Sequence, residues 1–270
     1  MTYQARGCGY VPDRPSYRRK KFAALAGGVT SYPENFSLEV FRPAVFDQGP
    51  VGSCTAHAKA GALVTSAAAA GQSLPFVPSP KAIYKIALSL DRVALPDGTF
   101  APLADTGAEP GQIERVIREW GLVPMGPKTA DGRNSDLAPE DLLSPVDFGL
   151  LERASHELVM GDYAIESQGQ ALFSACKLAL SLGHAVNVGF WADGPFEDWT
   201  PARAPVPAPN QNDTSGGWHY GYLVGYEKGR ARLVNSWGED YGDRGEAWVS
   251  PAFVGACVGV YATAVHEVRT

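Results

Sequence analysis

The sequence predicts an α+β protein of two lobes, the first mainly helical and the second an antiparallel sheet or partial barrel. Three observations carry this. Helical spacing of apolar residues dominates from about residue 53 to residue 120, and runs rich in β-branched and aromatic residues dominate from residue 184 onward. The length of 270 residues suffices for one large domain or two modest ones, each able to bury a core.

Taken in order, the first 45 or so residues are irregular. Gly7-Cys8-Gly9, Pro12, Pro15, Gly27-Gly28 and Pro33 break every period, so the segment reads as an extended arm. Its basic run, Arg18-Arg19-Lys20-Lys21, reads as a solvated face rather than a partner-binding patch. Ser53 to about Ala70 then reads as a helix of four to five turns, capped at Ser53 and stopped by Gly71, with Gly61 in its interior. Pro80 to Arg92 and Gly111 to Trp120 are two further helices, the second holding Ile113, Val116, Ile117 and Trp120 on one face; Pro96 to Pro110 between them is loop. Ala171 to Leu182 is one more amphipathic helix. His184 to Trp191, Tyr220 to Tyr226, Ala231 to Asn235 and Glu246 to Ser250 read as strands. Thr200 to Ser215 carries four prolines without a Pro-x-x-Pro spacing and reads as a stiff loop. The expected organisation is an N-terminal extension over 1–45, a helical lobe over 46–150 and a β lobe over 151–270.

Composition excludes several classes. Hydrophobic residues make up 45% and charged residues 19% of the chain, with a net charge of −6, the balance of a soluble globular protein without bulk attraction to nucleic acid or anionic lipid. No run approaches the 18 or so apolar residues of a membrane helix, and Met1-Thr2-Tyr3-Gln4-Ala5-Arg6 lacks the apolar core of a secretion signal, so a cytoplasmic location is expected. Cys8, Cys54, Cys176 and Cys257 are too few and too scattered for a disulfide framework and form no Cys-x-x-Cys pair, which points to a reducing compartment.

Cys54 opens the predicted helix directly behind Gln48-Gly49-Pro50-Val51-Gly52-Ser53. The positive end of the helix dipole and the unpaired amides there favour a thiolate, the nucleophilic form; a cysteine by itself, however, is far more often inert core packing. Its company decides. His219 opens a strand, and Asn235 follows sixteen positions later beyond the next turn, so adjacent antiparallel strands would bring them side by side. An imidazole beside a thiol accepts its proton and returns it to a leaving amine, while an amide oxygen on the other ring nitrogen fixes the tautomer. Trp237 would shield that bond from water. The Gln48 amide and the Cys54 backbone N–H would hold an oxyanion.

The blocks Gln48 to Ala58, Trp218 to Tyr226 and Asn235 to Trp248 resemble the three signature blocks of the papain-like cysteine peptidases in order, residue type and His-to-Asn spacing. The resemblance covers about residues 45–270, strongly at the blocks and weakly between them. It implies a two-lobed fold with a cleft between a helical lobe presenting Cys54 and a β lobe presenting His219. It also implies Cys54 as nucleophile, His219 as acid and base, Asn235 as orienting group and Gln48 as oxyanion-hole donor. Gly107, in Asp105-Thr106-Gly107-Ala108, lies where the family pairs with substrate backbone; Gly217, Val188 and Trp218 are positional assignments to the substrate cleft and its apolar S2 pocket. Two departures stand out. Thr55 replaces the tryptophan that follows the nucleophile, and Val51 replaces a cysteine, removing half of a family disulfide. These changes, with the Gly9-Tyr10-Val11-Pro12-Asp13 segment, resemble the bacterial branch of the family.

The expected function is therefore hydrolysis of peptide bonds in a peptide or protein substrate through a Cys54 acyl-enzyme, with no metal or organic cofactor. An acyltransferase or peptide ligase, or a noncatalytic peptide-binding protein, would use the same scaffold. Residues 1 to about 40 are expected to pack on the enzyme and to lie across the cleft, an autoinhibitory arrangement suggested by Gly7-Cys8-Gly9-Tyr10. His57, one helical turn from Cys54, reads as a hydrogen-bonded residue of the helical lobe rather than a rival base or half of a metal pair. Cys176 and Cys257 read as core packing, and His156, His184 and His266 as surface or strand residues.

Overall fold

The computed structural model describes residues 7–14, 19–128, 134–146, 149–150 and 158–268. The first six residues, Pro15, Arg18 and His156 lie outside the described residues. The strands are β1 (Lys20–Lys21), β2 (Phe36–Ser37), β3 (Gly126–Lys128), β4 (Asn134–Ser135), β5 (Leu158–Ala164), β6 (Val186–Ala192), β7 (Gly217–Glu227), β8 (Arg230–Val234), β9 (Glu246–Val249) and β10 (Val258–Val268). The helices that position the cleft are α1 (Phe22–Ala26), α2 (Cys54–Ala69), α3 (Pro80–Leu90) and α4 (Pro110–Glu119); Gly169–Ser181 forms a further long helix.

The fold is α+β, with an eight-stranded sheet made of seven strands in the order β1-β5-β10-β6-β7-β8-β9 and β2 paired to β7 off that path. The sheet is open rather than closed into a barrel. Every pairing is antiparallel except that of β1 with β5. The β lobe buries one aromatic-rich core, and α2, α3 and α4 bury another around Ile83, Tyr84, Ile113 and Val116. Helix α2 is the spine between them: Cys54, Ala58 and Ala62 face the first core, and Ala56, Leu63 and Ala67 the second. Its Gly61 has a packing reason, since a Cβ there would lie 2.5 Å from the Tyr222 ring of β7. That close approach outweighs the roughly 0.5–1 kcal/mol that an interior helical glycine costs.

The end of α2 follows from local chemistry. Gly71 adopts φ +71°, and Gln72 N–H to Ala67 O (2.8 Å) with Gly71 N–H to Ala68 O (3.0 Å) close a Schellman turn. Its start corrects the expectation of a serine cap. Ser53 has φ −95° and ψ 16°, outside the extended region from which a capping side chain reaches the next amides, and its hydroxyl has no hydrogen-bond partner among the described residues. The first amides of α2 are thus left free of a side-chain cap beside Cys54.

The N-terminal region is more integrated than an extended arm. It supplies β1 to one sheet edge, β2 to β7 and the short α1. Arg19 is not a solvated cation: its side chain is 7% exposed and pairs with Asp13, Glu114 and Asp162. The reason lies in Lys59 of α2, fully buried against Asp162; carboxylates gathered in that interior need a second cation to balance them. Cys176 and Cys257 are buried in the β-lobe core. His184 is half-buried, and His266 meets the Tyr163 hydroxyl at 3.1 Å. No helix among the described residues is long and apolar enough to cross a membrane.

Candidate active site

Cys54 sits at the first position of α2, fully buried at the junction of the two cores. Backbone groups of Gly9, of Tyr220 on β7 and of Thr55, together with the Thr55 side chain, favour its thiolate. The Tyr220 contact places the sulfur beside the strand that carries His219. Burial pushes the thiol up to about 11, only partly opposed by those donors.

His219 stands on β7, opposite Phe190 of β6, and is fully buried. Its Nε2–H donates to Asn235 Oδ1 at 2.7 Å, an oxygen that also accepts the Ser236 N–H at 2.8 Å. An amide oxygen can only accept, so the proton belongs on Nε2 and the Nδ1 lone pair is left as the basic site. Nδ1 has no hydrogen-bond partner among the described residues. Burial lowers the imidazole to about 4, against the stabilising Asn235 bond. Trp237 lies over the ring at 4.7 Å between centroids, and Phe190 and Phe196 meet it at 5.5 and 6.3 Å. These aromatics exclude water from the His219–Asn235 bond.

Gln48 is fully buried and donates from Nε2 to the carbonyls of Val51 (2.6 Å) and Gly7 (2.9 Å), while its Oε1 accepts from the Ser236 hydroxyl. Backbone bonds Gln48 N–H to Ser236 O (2.9 Å) and Gly238 N–H to Phe46 O (3.0 Å) stitch this segment to the Asn235-Ser236-Trp237 turn. Hydrogen bonds thus tie His219 to Asn235 and Gln48 to the neighbouring Ser236, while Cys54 lies near Tyr220, the residue after His219.

Residues 7–11 pass through the cleft. Ala108 N–H donates to Gly9 O (2.9 Å), Val11 N–H to Ala108 O (3.3 Å) and Tyr10 N–H to Trp218 O (3.3 Å). The contact is close enough to demand glycine on both sides: a Cβ on Gly9 would lie 1.9 Å from Gly52 O, and one on Gly107 2.2 Å from Gly9 O. Cys8 packs on Gly217, and burial pushes its thiol up to about 12. Further along, Asp13 accepts from Gly111 N–H (2.5 Å) and the Tyr261 hydroxyl (2.6 Å), and Arg14 pairs with Glu109.

Of the sequence-derived cleft residues, Gly107, Gly217 and Trp218 touch residues 8–10, and Trp237 covers His219. Backbone pairing falls on Ala108, because the Gly107 N–H is taken by the Tyr84 hydroxyl at 2.9 Å. Strand alternation turns Val188 to the opposite face of β6 from Gly189, and Gly189 is the residue that meets the arm. His57 donates from Nδ1 to Ser53 O at 2.9 Å and is lowered to about 4 by burial.

Sequence reasoning missed a tie between Cys54 and the Gly107 loop. Both Asp105 carboxylate oxygens accept the Gly52 N–H (3.1 and 2.9 Å), and Tyr84 donates to Asp105 at 2.5 Å. Among the described residues, no group of three or more His, Cys, Asp or Glu side chains is arranged to hold a metal.

Similar solved structures include xylellain, a cysteine protease from Xylella fastidiosa, at 24% identity and TM-score 0.72 over 100% of this chain and 99% of that one. A procathepsin B from Trypanosoma congolense follows at 13% identity and TM-score 0.64 over 98% and 87%. Procathepsin L 3 of Tenebrio molitor larval midgut follows at 17% identity and TM-score 0.59 over 97% and 76%. No family model and no curated protein matches the sequence. The chain has the papain-like fold of these cysteine proteases.

Proposed function

We propose that the protein is a cysteine peptidase, held in a closed state by its own residues 7–11. The observation that carries this reading is the His219 Nε2–H to Asn235 Oδ1 bond at 2.7 Å, with Cys54 at a helix N-terminus against the neighbouring Tyr220 amide. Each group then has a task. His219 Nδ1 takes the Cys54 proton, and the thiolate attacks a peptide carbonyl carbon. The oxygen takes up the electron pair and is held by Gln48 Nε2–H and the Cys54 N–H. Collapse breaks the C–N bond, and the Nδ1 proton goes to the leaving amine. Water, deprotonated by His219, then releases the acid and restores the thiol. Activity should follow a bell-shaped pH profile, the acid limb set by ion-pair formation and the basic limb by loss of the His219 proton.

The arm explains why the buried groups are neutral in this state. It places an N–H, that of Gly9, on the sulfur, and puts the Gly7 carbonyl on the Gln48 donor. It also adds to the burial of the Cys54 thiol, which disfavours the charged pair.

The test is labelling with an epoxide thiol trap followed by peptide mapping. Labelling is expected at Cys54, lost in His219→Ala and faster in Asp13→Ala, which loosens the arm. Labelling that ignores His219 would overturn the peptidase reading, and an unchanged rate in Asp13→Ala would overturn the inhibitory role of the arm. Product analysis with an added amine separates hydrolysis from acyl transfer.

A further inference from the structure

Resting on the reading of Cys54 as a nucleophilic thiol, we propose that Cys8 of the arm is its resolving partner: when hydrogen peroxide oxidises Cys54, a Cys8–Cys54 disulfide forms, fixes the arm in the cleft and is reopened by a small thiol. Register carries the pairing. Cys8 stands between the two arm residues that press on the segment leading into the nucleophile, since a Cβ on Gly7 would lie 2.2 Å from Val51 O and one on Gly9 1.9 Å from Gly52 O. Gly7 O accepts from Gln48 Nε2 at 2.9 Å, and the Gly9 backbone hydrogen-bonds Cys54. The Cys8 side chain lies across the cleft on β7, where a Cβ on Gly217 would meet Cys8 Cβ at 2.9 Å and its Sγ at 3.1 Å. Gly217 and His219 are two residues apart on one strand and share a face, so the Cys8 side chain rests on the wall that carries the base. Burial, and then the nearby Cys54 sulfur, push the Cys8 thiol up. Cys176 and Cys257 lie in the β-lobe core, away from this contact.

With the arm docked, burial keeps both thiols protonated and the pair is inert. When the arm lifts, the Cys54 proton passes to His219 and the thiolate attacks one peroxide oxygen. The O–O bond breaks; the sulfur keeps a hydroxyl as a sulfenic acid, and the other oxygen leaves as hydroxide and takes the His219 proton to become water. Re-docking returns Cys8 to the sulfenic sulfur. The S–S bond then forms, the S–O bond breaks, and the hydroxyl departs with the Cys8 proton as a second water. The two sulfurs together have given two electrons to the peroxide, and two equivalents of a small thiol return them by exchange. Without Cys8, a second peroxide carries the sulfenic acid to the sulfinic acid, which thiols do not reverse. The arm thus keeps the oxidised nucleophile recoverable.

The experiment treats the full chain with excess hydrogen peroxide, alkylates the remaining thiols and maps the cysteines by mass spectrometry. The chain should lose the mass of two hydrogens and yield a peptide pair linked through Cys8 and Cys54. Epoxide labelling at Cys54 should vanish and return on dithiothreitol to at least about nine-tenths of its starting level. In Cys8→Ser, Cys54 should be recovered as the sulfinic acid, with labelling restored to less than about a tenth. Should that variant have a lower melting temperature, Cys8→Ala serves the same purpose. A Cys8 that is still alkylated after peroxide, or equal recovery in both Cys8 variants and the wild type, overturns the inference. So does a link from Cys8 to Cys176, to Cys257 or to a second chain. None of these readouts needs a substrate: a chain that hydrolyses peptides but forms no link loses this inference alone, and a linked chain that cleaves no peptide loses the peptidase reading alone.

Discussion

The two walls of the cleft hold their reactive groups by different physics. On the Cys54 side, position rests on directional hydrogen bonds: backbone amides on the sulfur, the Gln48 amide between two carbonyls and Ser236, and Asp105 on Gly52. On the His219 side, one hydrogen bond to Asn235 is surrounded by the packed rings of Phe190, Phe196 and Trp237. A hydrogen bond is lost whole when one partner goes, whereas packing is shared among many contacts. The first wall should therefore be the more brittle to single substitutions.

The largest expected effect tests that directly. With Gln48 in the oxyanion role proposed above, Gln48→Ala should lower kcat by about 10²–10³-fold with little change in KM, the usual scale for losing one such donor. Steady-state kinetics of the arm-loosened Asp13→Ala chain provide the reference. Asn235→Ala should cost less, about 10–10²-fold, because the aromatic cage still holds the imidazole in place. If Asn235→Ala costs more than Gln48→Ala, the ranking of the two walls is reversed. Next comes the tie behind the nucleophile: Asp105→Asn should raise KM severalfold and destabilise the fold by about 1–3 kcal/mol, read by denaturant unfolding. Unchanged stability would mean that Asp105 merely fills a loop.

Both walls also bury a neutral imidazole, and this yields a pH dependence with a definite sign. Burial lowers His57, His184 and His219 to about 4 from the ordinary 6.5. Between those values the unfolded chain binds more protons than the folded one, so stability is full above about pH 6.5 and falls as pH drops through about 4. The melting temperature should therefore decline across that window, and His219→Gln should flatten part of the decline. A melting temperature constant from pH 7 to 4 would contradict the buried neutral state.

What could be read from the sequence follows the same division between local and distant physics. Helices α3 and α4 lie within a few residues of their expected spans, because apolar spacing, the Glu109–Gln112 capping box and the glycine at 121 are local signals. Gln48, Cys54, His219 and Asn235 stand out in the sequence as a set because each block carries residue types that one reaction needs, and the proposed mechanism rests on that set. The rest was set by neighbours far along the chain. Asp105 meets Gly52 across 53 positions, and Arg19 is buried because Lys59 and Asp162 are. β10 was missed since Gly259, Ala262 and Ala264 dilute its alternation. The exchange of Val188 for Gly189 turned on a single residue of register, which flips a side chain to the other face of a strand.

The smallest expected effect on turnover is that of His57, and it separates proximity to the nucleophile from participation. His57 lies one turn along α2 from Cys54, 2% exposed, and its Nδ1–H is committed to the Ser53 carbonyl, the same oxygen that accepts its own backbone N–H at 3.1 Å. Its ring meets Phe46 edge-on at 5.8 Å, close behind the Gln48 segment. A protonated His57 would repel a protonated His219, so its neutrality favours the ion pair in front of it. His57→Ala removes packing and one bond to a buried carbonyl, and should destabilise the fold by about 2–3 kcal/mol. kcat/KM per folded molecule should change by less than about threefold, since no reacting atom loses a contact. His57→Gln, which can keep a donor near Ser53, should recover part of the stability. A large loss of turnover in a variant of unchanged melting temperature would instead make His57 a participant in proton transfer, and the nucleophile wall would then contain two bases.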